Sequence, residues 1–450
     1  MTRQLALFIS LLSPAALAGS FGVYDARSQA MGTAAVAVGD VGMATGHNPA
    51  LLGLFDEDED KSRNGKYLLP SAVGSYNESA SDAYKFFERD KLDSAFADAL
   101  DGYNQPIGTP EHFDMLSDDQ KGQIETQLRE YWAGIAGSAA EELEDALIKV
   151  ANKDIRAQGF ASLIAVSEPG ELGGGGFYLA SRVEVGGRSF IPDEDIALAH
   201  QYVEALNNVA TGARWDAVNP DLFNTLDGYD GDVPPPLRDP YDIVTSNAII
   251  HRLHISEVAV AGAKGFSFES MRVAIGATPK VAQVRVVDES RQVSNDDFQV
   301  QDTSRPYLTF NVDVGLAIHF DSGFRLGYVG KDLINRSYTT DIGYEVQLNS
   351  KHRLGLAYIK PRWQIGMDYD KKPNTPVSAE LAGQFLAFGG EVSILKGLHL
   401  RAGYQYDTEG NVPSTTSLGL GITLGRIEGN LSYEQSEESE GAGINLGYFF

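Results

Sequence analysis

The stretch LTFNVDVGLAIHF, residues 308–320, carries an apolar side chain at every even position: Leu308, Phe310, Val312, Val314, Leu316, Ile318 and Phe320. Between them stand Thr309, Asn311, Asp313, Gly315, Ala317 and His319. Two residues is the side-chain period of a β-strand, whose successive side chains leave opposite faces of the sheet. This strand therefore has one oily face and one polar or small face.

The same rhythm recurs outward from that stretch. It returns in Phe324, Leu326, Tyr328; in Ile342, Tyr344, Val346, Leu348; in Leu354, Leu356, Tyr358; and in Trp363, Ile365, Met367, Tyr369. Further on come Leu398, Leu400, Ala402, Tyr404, Tyr406, then Leu418, Leu420, Ile422, Leu424, then Ile427, Leu431, Tyr433. A soluble sandwich also alternates, so the solvent of the oily face needs separate evidence. The strands lie close to the ~9–11 residues that cross a bilayer at a tilt, with Tyr or Trp near their ends as in an aromatic girdle. Short connections at Lys396-Gly397 and Gly425-Arg426 alternate with longer polar loops at Asp407 to Ser414 and Gln435 to Gly441, the asymmetry of a barrel with two different rims. The chain stops on Ile444, Leu446, Tyr448, Phe450. Such an ending, marked by Tyr448 and Phe450, resembles the signal read by outer-membrane assembly machinery.

An open sheet edge in hydrocarbon would leave unpaired N–H and C=O groups at several kcal/mol each, so the strands must close. Weaker alternating segments fall near Lys66 to Tyr76, Gly159 to Val166, Gly176 to Val185, Ile249 to Ala263, Met271 to Ala277 and Val281 to Val287. The expected fold class is an all-β transmembrane barrel of about 14 antiparallel strands, with a plug-like N-terminal segment and an inserted α-helical region.

The N-terminus reads as an export signal over residues 1–18: Arg3, an apolar run from Leu5 to Leu12, and the small-x-small pattern Ala16-Leu17-Ala18. No other segment approaches the roughly 20 apolar residues of a transmembrane helix. The expected division is a plug-like segment over 19–55 and a barrel over 56–450. Two excursions interrupt that barrel. Residues 78–158 repeat apolar side chains at helical spacing, Tyr84, Phe87, Leu92, Phe96, Leu100 and then Ile124, Leu128, Trp132, Ile135. Residues 190–246 carry a helical piece around Ala197 to Val209 and the turn-rich Pro234, Pro235, Pro236.

Composition removes several functions. Cysteine is absent, which excludes disulfides, thiolate metal sites and CxxC redox chemistry. A formal net charge of −26 is unsuited to direct nucleic-acid binding, which depends on basic contacts that release counterions. The acidic run Asp56, Glu57, Asp58, Glu59, Asp60 lacks the spaced ligands and glycine of an EF-hand loop and is not assigned as a metal site. No GxSxG or HExxH occurs, and His251 and His254, three apart on a strand, point to opposite faces. The chain reads as a non-enzyme with no cofactor.

Directly after the export signal lies FGVYDARSQAMGTAAVAVGDVGMATGHNPALL, residues 21–52. Small residues dominate it, which lets a backbone approach its neighbours closely inside a lumen. The stretch resembles the amino-terminal signature of the conjugal transfer TraF-like outer-membrane family, YDARSxAMGG followed by NPALL. More distantly it is similar to FadL-type long-chain fatty acid transporter barrels, where a comparable segment forms an internal hatch. The resemblance rests on Tyr24, Asp25, Ala26, Arg27, Ser28, Ala30, Met31, Gly32, Asn48, Pro49 and Ala50, with echoes in WQIGMDYD at 363–370 and LRAGY at 400–404. Thr33 departs from it, standing where the pattern often has a second glycine. Its signature positions Tyr24, Asp25, Arg27, Gly32, Asn48 and Pro49 are the candidate plug residues.

The resemblance implies a bacterial outer-membrane location and passage of a small hydrophobic solute through a plugged barrel. The competing reading is a structural component of a conjugative transfer or envelope assembly. Implied partners are outer-membrane lipid, the barrel assembly machinery and conjugation or envelope proteins. Arg325, Arg353, Arg362 and Arg401 mix with Asp313, Asp368, Asp407 and Glu428 on the polar faces, so no single-sign ion filter is expected. Internal salt bridges between wall and plug account better for these charges.

Overall fold

The most buried large side chains of this protein include Arg353, Lys66 and Lys331, whereas Leu308 is 81% and Leu418 59% exposed. That is the reverse of a water-soluble core. It is the burial pattern of a sheet whose outside meets lipid. The computed structural model describes residues 21–54, 65–87, 141–170, 173–210, 244–288, 291–292, 306–340 and 343–450, with residues 117 and 222. The export signal, the acidic run at 56–60, the helical spacing from Leu92 to Ile135, and Pro234 to Pro236 lie outside the described residues.

Fourteen antiparallel strands close into one barrel. In chain order they are β1 (Lys66–Asn77), β2 (Asp154–Glu168), β3 (Gly174–Phe190), β4 (Asn247–Ser267), β5 (Met271–Asp288), β6 (Tyr307–Phe320) and β7 (Phe324–Lys331). Then follow β8 (Lys351–Lys360), β9 (Trp363–Asp370), β10 (Phe385–Leu395), β11 (Leu398–Asp407), β12 (Thr415–Leu424), β13 (Ile427–Gln435) and β14 (Ser439–Phe449). Each pairs with its neighbours in sequence, and β14 pairs with β1, so no edge is left unpaired in hydrocarbon. In β6 the alternation has its expected result. Asn311, Asp313 and Ala317 are buried while Leu308, Phe310 and Leu316 are exposed.

One rim has short turns. There the Gly397 and Gly425 turns adopt positive φ, and rings cluster by the β6–β7 and β8–β9 turns of the same rim: Phe324 lies 4.7 Å from Tyr358, and Tyr358 5.5 Å from Trp363. The other rim carries every long connection. Among the described residues its helices are α3 (Glu78–Phe87), α4 (Glu141–Val150) and α5 (Asp193–Ala210), after two short ones, α1 (Ala26–Ala30) and α2 (Ala44–His47), in the N-terminal segment. Leu147 and Val150 of α4 pack with Ile191 and Ala199 near the start of α5.

Three sequence readings change. Met271 to Ala277 and Val281 to Val287 are one strand, β5, which continues through Pro279. Residues 154–158, assigned to the helical excursion, begin β2. Finally, the segment around Tyr344, Val346 and Leu348 is not part of the wall. Glu345–Leu348 pairs with Arg336–Thr339 in a separate hairpin, because four residues at ~3.3 Å each cannot cross a ~30 Å hydrocarbon core. Val346 and Leu348 pack instead on Leu253 and Ile255 of β4 and Val284 and Val286 of β5.

Leu356, 39% exposed near the middle of β8, tests which solvent the outer face meets. Leu356→Arg should lower unfolding free energy in lipid vesicles, measured by urea titration, by about 2–4 kcal/mol. A loss below ~0.5 kcal/mol, the range of an ordinary surface substitution, would rule out a lipid-facing position.

Candidate functional site: the filled lumen

Residues 21–54 occupy the barrel interior, and nearly all of them are buried. Backbone reaches backbone here because the wall is made of glycine along the contact. A Cβ on Gly403 of β11 would collide with the Gly32 amide nitrogen, one on Gly389 of β10 with the Met31 carbonyl, and one on Gly276 of β5 with Pro49. Gly366 of β9 faces Val38, and Gly327 of β7 and Gly355 of β8 both face Val36. Several of these glycines are direct cross-strand partners: Gly276 with Gly315, Gly327 with Gly355, and Gly366 with Gly389 and then Gly403. The result is a belt of bare backbone around the lumen.

Each signature residue has a place in this arrangement. Asp25 caps α1 by accepting the Ser28 amide at 2.6 Å, and its other oxygen lies 2.9 Å from His47 Nε2. Burial alone would lift the Asp25 carboxyl, but His47, the Ser28 amide and Arg27 outweigh it and hold the group below the usual carboxylate range. Asn48 Oδ1 accepts the Ala50 amide while Nδ2 donates to the Val36 carbonyl at 2.9 Å, and Pro49 opens the 3₁₀ turn Pro49–Gly53. Gly32 has φ +62° and its missing side chain lies against Tyr404 and Phe388 backbone. Thr33, the departure from the motif, has φ 68°, a left-handed conformation unfavourable for a β-branched residue and ready for glycine.

Tyr24 is buried between the edges of Phe160 and His47, at ring separations of 4.9 and 5.2 Å, with Lys331 Nζ 3.8 Å from its ring centroid. Tyr448 is 41% exposed on the lipid face. The Phe450 ring meets Tyr67 at a tilt, 4.5 Å between centroids, and its amide donates to the Gly65 carbonyl at 3.0 Å.

Charges tie the segment to the wall. Glu391 of β10 accepts from Arg27 at 3.0 Å and from Arg401 of β11 at 2.5 Å. Arg401 reaches Asn430, Asn430 reaches Glu428, and Glu428 pairs with Lys66 at 2.6 Å. Lys66 returns to the segment through Asp40 at 2.5 Å. On the adjoining strands Asp368 of β9 accepts the Ala35 and Val36 amides at 2.8 and 2.9 Å, and Arg353 of β8 pairs with Asp370 at 2.6 Å while donating to the Thr33 carbonyl. Arg325 donates to the Ala37 carbonyl. Arg362, expected among the polar-face charges, sits instead on the exposed β8–β9 turn and not in the lumen.

A narrow cleft with about 20 Å³ of accessible space remains between this segment and β1 to β3. Its walls include Val23, Tyr24, Val73, Phe160, Arg182 and Glu184. Sequence reasoning missed Arg182, Glu184 and Phe160, because a weakly alternating strand does not announce which of its faces meets a plug. The wall glycines were legible in principle as glycine recurring at inward positions of successive strands.

Gly403→Val should expel the segment without preventing barrel closure. Residues 21–54 would then become cleavable by protease in the detergent-solubilised protein while the barrel band on unheated gels persists. Unchanged protection of the segment would contradict the close packing.

The family described as "F plasmid transfer operon, TraF, protein" matches residues 45–370. No curated protein matches the chain. Among solved structures, the P. putida toluene transporter TodX is similar at 10% identity and a TM-score of 0.44, over 95% of this chain and 98% of that one. The Ralstonia pickettii toluene transporter TbuX gives 10% and 0.44 over 96% and 99%. A Pseudomonas aeruginosa FadL homologue gives 11% and 0.44 over 96% and 100%. With more than two thirds of its length inside the family match, the chain belongs to the TraF family of the F plasmid transfer operon.

Proposed function

We propose that this protein is an outer-membrane channel for small, largely hydrophobic solutes, gated by its own N-terminal segment. The observation that carries the reading is the filled lumen: a lipid-facing barrel whose interior is closed by residues 21–54 through hydrogen bonds and ion pairs, with no covalent link among the described residues. Such contacts can be exchanged, so the segment can shift and open a route along the wall. Among the described residues the interior charges largely pair, which suits an uncharged cargo better than an ion.

Short turns face the periplasm and long loops the outside in barrels of this kind. On that rule the helices α3, α4 and α5 and the hairpin at 336–348 form an extracellular crown. Deleting residues 21–52 should then raise the entry of p-xylene into vesicles carrying the barrel. Equal uptake with and without the segment, and with empty vesicles, would remove the channel reading.

The family match favours a second reading, a structural part of a conjugative envelope assembly. It is supported instead if deletion leaves uptake unchanged and conjugation proteins co-purify with the chain only while residues 78–158 are present.

A further inference from the structure

On the short-turn rim the oily outer wall ends in an arc of positive charge. Three consecutive turns make it: Lys360-Pro361-Arg362 joins β8 to β9, Lys396-Gly397 joins β10 to β11, and Gly425-Arg426 joins β12 to β13. Neighbouring strands stand ~4.8 Å apart, so successive turns lie roughly 10 Å from one another. Arg362, Lys396 and Arg426 are exposed, and their side chains form no hydrogen bond or ion pair among the described residues. Lys360 donates to the Ser322 carbonyl at 3.0 Å and lies over the Tyr358 ring. No acidic residue stands on these turns. Glu391 and Glu428, at the strand ends beside them, face the lumen and pair there with Arg27, Arg401 and Lys66, and Asp321 borders the arc on the next turn along. In a chain of 62 acidic and 36 basic residues, four cations without an anion reverse the average.

The wall directly below meets lipid. Leu395, Leu424 and Ile427 are 65, 73 and 60% exposed, and the exposed Trp363 follows Arg362. That wall also has a dip. Gly390 of β10 is the cross-strand partner of Ile365 on one side and of Ala402 on the other. Phe388 and Val392, two residues either side of Gly390, are exposed on the lipid face, so Gly390 shares it. A Cβ on Gly390 would meet its nearest neighbours only at 3.9 Å. Small residues at Gly390 and Ala402 thus leave a shallow trough between Ile365, Val392 and Leu400, below the Lys396-Gly397 turn.

Cations at headgroup height and an apolar trough beneath them call for one molecule with both halves. A soluble anion answers only the charge. An uncharged or zwitterionic lipid answers only the trough and leaves the cations without a counter-charge. We propose that this arc of the rim holds an anionic phospholipid of the phosphatidylglycerol type, its phosphate between Arg362 and Lys396 in the field of Arg426, and an acyl chain laid over Gly390 and Ala402. By the turn-length rule the lipid belongs to the periplasmic leaflet. The site is independent of what the barrel passes.

Trp363 reports on it. With Trp132→Phe and Trp215→Phe it is the sole tryptophan of the full chain, which is reconstituted in phosphatidylcholine vesicles containing dibrominated phosphatidylglycerol or dibrominated phosphatidylcholine. Both leaflets share one composition, so the orientation of the barrel does not matter. Brominated phosphatidylglycerol should quench Trp363 as if enriched about three- to tenfold over its bulk share, the worth of about one cation near an anionic headgroup, and brominated phosphatidylcholine should show no enrichment. Arg362→Gln with Lys396→Gln should bring the ratio to about one while the barrel still migrates as folded on unheated gels. Arg285→Gln, an exposed cation of β5 away from this arc, should leave it unchanged. Gly390→Leu, which fills the trough, should lower the enrichment about two- to fourfold with the cations intact, roughly one methylene's burial. Equal quenching by the two lipids, enrichment that survives the double variant, or enrichment untouched by Gly390→Leu overturns the inference. So does enrichment erased by millimolar inorganic phosphate but not by sodium chloride of equal ionic strength, which would assign the cations to a free anion.

Discussion

The structure depends on one constraint: every backbone polar group at membrane depth must find a partner inside the protein. The β14–β1 pairing meets it for the wall by closing the ring. The same constraint then governs the lumen. Residues 21–54 form no strand of their own there, so their amides and carbonyls must be satisfied by short turns and by wall side chains. Asp368 takes two amides, Asn445 takes the Ala26 amide, and Arg325 and Arg353 take carbonyls, while the segment's own Arg27 takes that of Val38. The interior polarity of the barrel is therefore a set of partners for a particular piece of backbone, not a general lining for water.

Glycine is the second half of that solution. Asp368 can reach the Ala35 and Val36 amides only because Gly355 and Gly366, on the neighbouring inward positions, allow Val36 and Val38 close to the wall. The small residues of the segment and the glycines of the strands are two sides of one contact. This explains why the family resemblance appears at distant places in the sequence. WQIGMDYD contributes Gly366 and Asp368, and LRAGY contributes Gly403, which meet the N-terminal segment directly, while Asp370 and Arg401 hold Arg353 and Glu391, the wall side chains that bind Thr33 and Arg27.

The ion-pair circuit from Arg27 to Asp40 has a different consequence. Buried pairs contribute little net stability when well formed but cost several kcal/mol when one partner is removed. They are therefore suited to holding one seating of the segment against slightly displaced ones. Closely fitted backbone gives the segment its position, and the charged circuit makes that position specific.

By itself the sequence determined the class, because period-two alternation is a local property that survives without knowledge of any partner. The strand number was also near to hand, since each wall strand carries its own oily face. Gly32 and Asn48 were legible as motif positions, although what each does in the fold, a positive φ against Tyr404 and a turn locked onto Val36, was not. Tertiary structure decided everything that depends on which inward faces meet. Tyr344 to Leu348 alternates like a wall strand yet packs on β4 and β5, and Arg362 reads as a lumen charge yet lies on a turn. Tyr24, Arg182 and Glu184 come together from the N-terminal segment and β3 across some 160 residues of sequence. Closure of the ring alone creates that neighbourhood, and no local pattern encodes it.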